Sequence, residues 1–243
     1  MRNVVIVTGG GRGIGAATAK LLAAKGYMVC VNYRSNAERA EATVRDIMQA
    51  GGKAFSFQAD VSDEGDVIAM FDATQKTFGV VTHLVNNAGM LFTQSGFADI
   101  NVERFNKVML TNVTGCFLCC REFIKRITSS GAIVNVSSAA SRTGAPFEYA
   151  DYAASKGAMD SLTKGLSLEV AARGVRVNAV RPGFIDTEMH ADGGEPDRVK
   201  RLAAQIPLQR GGSPDEVANA IAWLLSDDAS YVTGSFIDLA GGK

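Results

Sequence analysis

Residues 148–156, with the sequence E-Y-A-D-Y-A-A-S-K, place a lysine four positions after a tyrosine. If this segment is helical, Tyr152 and Lys156 lie one turn apart on the same face, where an ammonium group favours ionisation of a phenol. Tyr149 has no such partner, because Ala153 stands four residues after it. Taken alone, the pair fits an ordinary helix start with a packed tyrosine as well as a proton-transfer device.

A glycine-rich turn follows the first apolar run of the chain. Glycines in a turn between a strand and a helix let the backbone approach a pyrophosphate, whose charge the free N–H groups of the helix N-terminus stabilise. A merely flexible turn is the alternative, but the position after the first strand of an alternating pattern favours dinucleotide binding. The predicted cofactor-binding residues of this turn are Thr8, Gly9, Gly11, Arg12, Gly13, Ile14 and Gly15.

The elements that position these residues alternate along the whole chain. Strands alternating with helices imply parallel pairing, with helices on both faces of the sheet and ligands beyond the carboxyl ends of the strands. We therefore predict a single α/β domain over residues 1–243, Rossmann-like and doubly wound, with a seven-stranded parallel sheet. The predicted strands are Val4 to Thr8, Met28 to Asn32, Ala54 to Gln58, His83 to Asn86, Ala132 to Ser137, Arg176 to Val180 and Ser235 to Asp238.

Helix signals support this alternation. Helices are predicted from Ile14 to Lys25 and from Ala37 to Ala50, each ending at glycine. A capping box with proline at the first helical position, Ser213-Pro214-Asp215-Glu216, opens another helix that runs to about Leu225.

Composition excludes several classes of partner. Lysine plus arginine and aspartate plus glutamate each number 25, so no basic surface for nucleic acid or anionic membrane is indicated. No stretch approaches the ~18 apolar residues of a membrane span. The four cysteines lie in apolar surroundings, which is typical of reduced thiols in a cytoplasmic protein. Cys116 and Cys119 form a C-x-x-C without a second ligand pair, and we predict no metal site.

Four motifs occur in one register along the chain. They are T-G-x-x-x-G-x-G from Thr8 to Gly15, Asn86-Asn87-Ala88-Gly89, Tyr152-x-x-x-Lys156 and Pro182-Gly183. In this order and at these separations they resemble the short-chain dehydrogenase/reductase family over essentially the whole chain. The resemblance implies an enzyme that interconverts an alcohol and a carbonyl compound with a nicotinamide cofactor.

The resemblance also implies a catalytic set. Tyr152 would act as general acid or base, Lys156 would lower its pKa and hold the nicotinamide ribose, and Ser138 would polarise the substrate carbonyl. Ser138 is one residue further from Tyr152 than in many family members, so Ser137 and Ser141 remain substitutes. Asn112 matches the helix asparagine that supports a water chain from the lysine, although a bent or capped helix is the alternative.

Cofactor preference depends on the end of the second strand, Asn32-Tyr33-Arg34. A neutral Asn32 does not repel a 2′-phosphate, and Arg34 and Arg12 are suited to pair with one, so we predict NADP(H) with NAD(H) as the alternative. Two solvated surface arginines would give the same sequence. By resemblance the remaining cofactor contacts are Asp60, Val61, Asn87, Ala88, Gly89, Pro182, Gly183, Ile185 and Thr187. Without the resemblance, Asp60 is typical of a helix cap.

The substrate is less determined than the reaction. Residues 188–212 interrupt the alternation with glycine and charge and resemble a mobile substrate lid, whose polarity favours a polar or small substrate over a sterol. The stretch Asn32 to Ser35 is similar to glucose 1-dehydrogenases, and the overall pattern resembles 3-oxoacyl-(acyl-carrier-protein) reductases. We predict a small-molecule alcohol or carbonyl substrate and, from the family, a homotetramer or homodimer. A catalytically inactive NADP-binding sensor or regulatory protein is the alternative.

Overall fold

One sheet of seven parallel strands forms the centre of the structure, a computed structural model that describes residues 3–243. Its order is β3-β2-β1-β4-β5-β6-β7, which confirms the predicted Rossmann-like fold. Predicted and observed strand limits differ by at most two residues, the largest difference being the extension of β6 to Pro182, where it pairs with β7. The strands are β1 (Val4–Val7), β2 (Met28–Tyr33), β3 (Lys53–Gln58), β4 (His83–Asn86), β5 (Gly131–Val136), β6 (Val175–Pro182) and β7 (Phe236–Leu239).

Helices cover both faces of this sheet. Consecutive residues of β1 point to opposite sides, so that Val4 and Ile6 enter one apolar cluster while Val5 and Val7 enter the other. The helices are α1 (Gly13–Ala24), α2 (Ala37–Gln49), α3 (Glu64–Phe78), α4 (Val102–Met109), α5 (Gly115–Arg126), α6 (Ala140–Thr143), α7 (Ala150–Val170), α8 (Met189–Asp192), α9 (Arg198–Leu202) and α10 (Pro214–Leu225).

Each face has its own set of helices. Helices α1, α2 and α10 pack with Val5 and Val7, whereas α3, α5 and α7 pack with Val4 and Ile6. The predicted capping box is confirmed at the start of α10, where the Ser213 hydroxyl accepts from the Glu216 amide and the Glu216 carboxylate accepts from the Ser213 amide. In the part of the chain that the structure describes, no helix is long and apolar enough to cross a bilayer.

Chain order reverses beside β1, because β2 lies on one side of it and β4 on the other. A crevice opens at such a reversal, beyond the carboxyl ends of the strands. The glycine turn follows β1 at this edge, and residues 87–96 follow β4. Helix α7 begins at the same edge, because a helix that connects parallel strands runs back to their amino ends. The fold therefore brings the glycines and Tyr152 to one edge of the sheet.

Candidate active site

A cleft of about 620 Å³ opens beyond β1, β2 and β4. Predicted cofactor residues that line it are Gly9, Gly11, Arg12, Gly13, Ile14, Asn32, Tyr33, Arg34, Asp60, Val61, Asn87, Ala88, Gly89 and Thr187. Other predicted residues are not part of this lining, namely Thr8, Gly15, Tyr152, Lys156, Pro182, Gly183 and Ile185. The cleft nevertheless ends close to the lysine, because a Cβ added to Gly89 would lie 3.5 Å from Lys156 Nζ.

The glycine turn needs glycine for two different reasons. Gly13 has φ +49°, a left-handed conformation that side chains disfavour, and it begins α1. Gly15 has no room for a side chain, since an added Cβ would overlap the Gly9 carbonyl oxygen and lie 2.5 Å from Nδ2 of Asn87. Removing side chains exposes the backbone N–H groups at the start of α1, which is the arrangement that binds a pyrophosphate.

Three polar side chains hold the turn in place. The Thr8 hydroxyl accepts from the backbone amides of Asn87 and Ala88, both at 3.0 Å. The Asn87 amide group donates to the carbonyl oxygens of Thr8 and Gly9. Asn32 is buried, accepts from the Gly9 amide and donates to the Ala59 carbonyl oxygen at 3.0 Å. Its amide group thus fixes the turn as well as leaving the strand end uncharged.

Arginines surround the outer part of the cleft. Arg12, Arg34 and Arg39 all line it, and the last of these follows the Asn36 cap of α2. Arg12 pairs with Asp192 and Arg39 pairs with Glu188 at 3.1 Å, both carboxylates belonging to the predicted lid segment. The sequence prediction did not include Arg39, although an arginine in the first turn of the helix after β2 could have been recognised as a candidate cofactor contact.

The two residues after β3 lie at the side of the cleft. The Asp60 carboxylate accepts from the backbone amide and the hydroxyl of Ser62, at 2.9 and 2.6 Å. Burial opposes ionisation of Asp60, but these hydrogen bonds and the nearby Arg34 lower its pKa overall. Val61 packs tightly on α5, since an added Cβ at Gly115 would lie 2.7 Å from it.

Lys156 is buried within α7, with only 3% of its surface exposed. Its ammonium group donates to the Val136 carbonyl oxygen at the end of β5, 2.7 Å away, and lies 5.4 Å from the centre of the Tyr152 ring. Burial lowers the pKa of Lys156 to about 8, against the opposing influence of Cys116 and Asp160. The predicted pair is therefore adjacent, on one helix face, as the spacing requires.

The environment of Tyr152 shifts its pKa upward. Burial raises the pKa of Tyr152 to about 12, while the neighbouring Ser138 hydroxyl lowers it. Lys156 is not among the groups that shift this pKa, and its ammonium group donates to the Val136 carbonyl oxygen. Within the protein alone, Tyr152 is thus a protonated phenol at neutral pH.

Among the three predicted serines, the structure separates Ser138 from the others. The Ser137 hydroxyl donates to the Lys156 carbonyl oxygen and is buried, and the Ser141 hydroxyl donates to the Ser138 carbonyl oxygen. Ser138 accepts from the Ala140 amide and keeps its hydroxyl proton free to donate toward Tyr152. Of the three serines, Ser138 is therefore the one whose hydroxyl contacts Tyr152.

Asn112 lies in a π-helical turn, Leu110–Thr114, between α4 and α5. Its side chain accepts from the Met90 amide at 2.8 Å, donates to the Met90 carbonyl oxygen and donates to the Ser155 hydroxyl at 2.9 Å. Ser155 in turn donates to the Tyr152 carbonyl oxygen. Single π turns occur frequently at functional sites. Asn112 therefore connects the loop after β4 to the turn of α7 between Tyr152 and Lys156.

An apolar cluster, termed the substrate wall for the role proposed below, lies beside Tyr152. The substrate wall consists of Leu91, Ala140 and Tyr149, which pack together in one cluster with Tyr152. The predicted lid covers this wall, because an added Cβ at Gly193 would lie 2.8 Å from the Tyr149 hydroxyl oxygen and 2.9 Å from Leu91. Several charged residues of the lid form ion pairs, including Arg198 with Glu148 at 2.5 Å.

The last predicted contacts follow β6. Gly183 donates its amide to the Leu239 carbonyl oxygen, and the Pro182 carbonyl oxygen accepts from the Ala139 amide. Ile185 is buried and forms a bridge to Gly212. Thr187 alone reaches the cleft, where an added Cβ at Gly13 would lie 3.3 Å from its methyl group. Within residues 3–243, no group of three or more histidine, cysteine, aspartate or glutamate side chains is arranged to hold a metal ion.

Comparison with known proteins identifies the relatives of this chain. Residues 9–243 match a family model described as enoyl-(acyl carrier protein) reductase. An uncharacterized oxidoreductase of Escherichia coli, YgfF, is 64% identical over 99% of both chains. A 3β-hydroxysteroid dehydrogenase of Eggerthella lenta is 43% identical over 98% of this chain and 92% of that one. A short-chain dehydrogenase of Burkholderia cenocepacia, solved in complex with NADP, superposes with a TM-score of 0.91 at 33% identity, over 99% of this chain and 97% of that one.

Both enzyme branches predicted from the sequence also occur among the relatives. A 3-oxoacyl-(acyl-carrier-protein) reductase of Staphylococcus aureus is 39% identical, and a glucose 1-dehydrogenase of Bacillus subtilis is 37% identical. Each match covers at least 98% of this chain. The chain belongs to the short-chain dehydrogenase/reductase family and is an NAD(P)-dependent oxidoreductase.

Proposed function

We propose that the protein is an NADP-dependent oxidoreductase that interconverts a secondary alcohol or hemiacetal and a carbonyl compound, with Tyr152 as general acid and base. The observation that carries the proposal is the convergence of Ser138, Tyr152 and Lys156 beyond β5 at the inner end of a glycine-lined cleft. The cleft fits a dinucleotide, because Gly13 and Gly15 leave the start of α1 open to a pyrophosphate.

In carbonyl reduction, Ser138 donates a hydrogen bond to the substrate oxygen and Tyr152 donates the proton to it. The raised pKa of Tyr152 keeps this proton in place at neutral pH until negative charge develops on the oxygen. When bound, the nicotinamide supplies or accepts the hydride and, in its oxidised form, adds positive charge that favours the phenolate. Lys156 would hold the ribose hydroxyls of the bound cofactor and favour the same phenolate. Asn112 keeps the loop after β4 beside them.

Preference for NADP is supported by the arginines at the outer cleft. Arg12, Arg34 and Arg39 line the part of the cleft that follows β2, where the adenosine ribose of a dinucleotide lies in this fold. Asn32, the last residue but one of β2, is uncharged, so no carboxylate at that position repels a 2′-phosphate. Asp60 and Val61 provide the adenine side, and Asn87 to Gly89 provide the nicotinamide side. Ile185 and Thr187 continue the cofactor site after Pro182 and Gly183.

For the substrate, the apolar substrate wall favours a compound with an acyl chain or ring, such as a 3-oxoacyl thioester, over a sugar. The polarity of residues 188–212 argued for a small polar substrate, yet two of their carboxylates, Asp192 and Glu188, pair with Arg12 and Arg39 on the cofactor side. The apolar character of the substrate wall is therefore a better indicator of the substrate than the polarity of the lid.

A panel of candidate substrates tests this function. Purified protein would be incubated with NADPH or NADH and acetoacetyl thioesters, diketones or a 3-ketosteroid for reduction, and with NADP⁺ or NAD⁺ and glucose for oxidation. We expect NADPH-dependent turnover with at least one carbonyl compound. Tight NADPH binding with no turnover of any compound would favour the inactive sensor instead.

We further propose that residues 1–243 form one catalytic and dinucleotide-binding domain, with residues 188–212 as its lid, and that it assembles as a homotetramer or homodimer. Leu110, Phe117 and Leu168 are exposed on the outer surfaces of the Asn112 and Tyr152 helices, where a second copy would cover them. The four free, buried cysteines support a cytoplasmic location. Sedimentation of the parent and of Phe117→Glu tests the assembly, which the charge should weaken.

A further inference from the structure

We infer that Arg104 is a positioning residue for this reaction: through its ion pair with Asp151 it fixes the first turn of α7, and hence Tyr152, against the loop that carries Leu91 of the substrate wall. The inference rests on the proposed role of Tyr152. It concerns a helix, α4, that contributes no predicted site residue.

The ion pair is bidentate and almost fully enclosed. Arg104 Nε donates to one Asp151 oxygen at 2.7 Å and Nη2 donates to the other at 3.2 Å. The exposed fractions of the two side chains are 14% and 1%. A planar guanidinium and a carboxylate that meet in this way fix orientation as well as distance, and lysine cannot reproduce the arrangement.

The start of α7 has particular need of this restraint. Tyr152 is the third residue of the helix, within the first turn, whose backbone amides have no partner inside the helix. Tyr149, at the capping position, provides no side-chain cap. The Tyr152 amide instead meets the Asp151 carboxylate at 2.9 Å, so one carboxylate accepts from both this amide and Arg104.

The same guanidinium holds the neighbouring loop. Arg104 Nη1 donates to the Thr93 carbonyl oxygen at 2.8 Å, and the guanidinium carbon lies 5.5 Å from the centre of the Phe92 ring. Asn112 holds the other end of this segment at Met90, and Leu91 lies between the two attachments. One side chain thus connects the acid-base tyrosine to the loop against which the substrate is placed.

Loss of the Arg104–Asp151 ion pair should affect the chemical step more than cofactor binding. A misplacement of about 1 Å in a catalytic group can cost on the order of 100-fold in rate. The adenosine part of the cleft lies on β1 and β2 and does not depend on α4. Loosening the first turn should also weaken the contact with Ser138 that lowers the pKa of Tyr152.

The experiment compares Arg104→Gln, Arg104→Lys, Asp151→Asn and the Arg104→Gln/Asp151→Asn double variant with the parent, on the best substrate of the panel. Tyr152→Phe is included to test the proposed function separately. Glu122→Gln is the matched control, because it removes one partner of another enclosed pair, Arg126–Glu122, at the end of α5 far from the cleft. Melting temperature, NADPH dissociation constant, kcat, KM and the pH profile of alcohol oxidation are measured for each.

We expect kcat to fall by about 10- to 100-fold in each Arg104→Gln and Asp151→Asn variant, with the NADPH dissociation constant within about twofold. Arg104→Lys should be intermediate, and the double variant should be no worse than the worse single one, because both changes break the same contact. The pH limb of oxidation that reports Tyr152 should move to higher pH. Glu122→Gln should lower the melting temperature with kcat retained.

Two results would overturn the inference. One is a set of folded Arg104 and Asp151 variants with parental kcat and pH profile, which makes the pair structural only. The other is strictly additive losses in the double variant. If Tyr152→Phe itself retains parental activity, the proposed function fails rather than the role of Arg104 alone.

Discussion

The two ends of the cleft are formed by different kinds of chemical groups. At the dinucleotide end, the backbone and small side chains form the surface, and the polar groups of Thr8, Asn32 and Asn87 are satisfied by neighbouring backbone. At the catalytic end, ionisable groups are buried, with Lys156 on a carbonyl oxygen and Arg104 on Asp151. The first end is thus sensitive to added volume, whereas the second is sensitive to changes in charge and in hydrogen-bond partners.

The largest effect on cofactor affinity should come from adding volume at the dinucleotide end. Gly15→Ala places a methyl group against the Gly9 carbonyl oxygen and Asn87, so the turn must open. We expect NADPH affinity to fall more than about 100-fold, equivalent to about 3 kcal/mol, with a lower melting temperature. Gly157→Ala is the control, because an added Cβ there meets nothing within 4 Å. Equal NADPH affinity in the two variants would contradict the tight turn.

Removing the charge at the catalytic end should stabilise the protein while abolishing activity. Burial lowers the pKa of Lys156 from its usual value of 10.5 to about 8, so its charged form opposes folding at neutral pH. Lys156→Met should therefore raise the free energy of unfolding at pH 7 by about 2–3 kcal/mol.

The unfolding free energy gained by Lys156→Met should depend on pH. Between pH 8 and 10.5 the unfolded parent binds the lysine proton more strongly than the folded parent, so parental stability rises with pH. The advantage of Lys156→Met should shrink by about 1 kcal/mol from pH 7 to pH 9 in urea unfolding. An advantage that stays constant with pH would contradict a lowered pKa of Lys156.

The arginines of the outer cleft should distinguish the two cofactors. Single Arg34→Ala and Arg39→Ala variants are each expected to weaken NADPH binding by about 5- to 20-fold, or 1–2 kcal/mol, because a charge-assisted bond to the 2′-phosphate is lost. NADH binding should change less than about twofold. Calorimetric titration with both cofactors measures this, and parallel losses for NADPH and NADH would refute the preference.

The smallest effect should be at the lid. Asp192→Asn and Glu188→Gln remove exposed ion pairs with Arg12 and Arg39, which are worth about 0–1 kcal/mol. Each change frees an arginine, so NADPH affinity should rise by up to about threefold at low salt and return to the parental value at high salt. A salt-independent change would indicate that the lid is held by other contacts.

The two ends of the cleft also differ in how much of each could be predicted from the sequence. Glycine spacing encodes a backbone shape, and the regular alternation of apolar runs identified all seven strands and the limits of α10. The Tyr152–Lys156 spacing likewise depends only on helix geometry. These signals are local, and for that reason a single sequence reveals them.

Contacts between distant segments could not be read in this way. Arg104 and Asp151 are 47 residues apart, and the charged residues of the lid gave no sign that they pair with the glycine turn and α2. Asn32 was expected only not to repel a 2′-phosphate, and its role in holding Gly9 depends on the packing of β2 beside β1 and β3. Such partners are set by tertiary structure.

The most direct test of the central account compares hydride transfer in Tyr152→Phe and Tyr149→Phe, two changes that each remove one hydroxyl group from neighbouring turns of chain. With NADPH and substrate both saturating, single-turnover rates isolate the chemical step. We expect Tyr152→Phe to lose at least about 1000-fold in this rate, because a general acid typically contributes about 10²- to 10⁴-fold and the Ser138 contact is lost as well. Tyr149→Phe, which loses only the hydrogen bond to the Gly193 carbonyl oxygen, should keep the rate within about threefold. Equal rates in the two variants would contradict the assignment of Tyr152 as the proton donor.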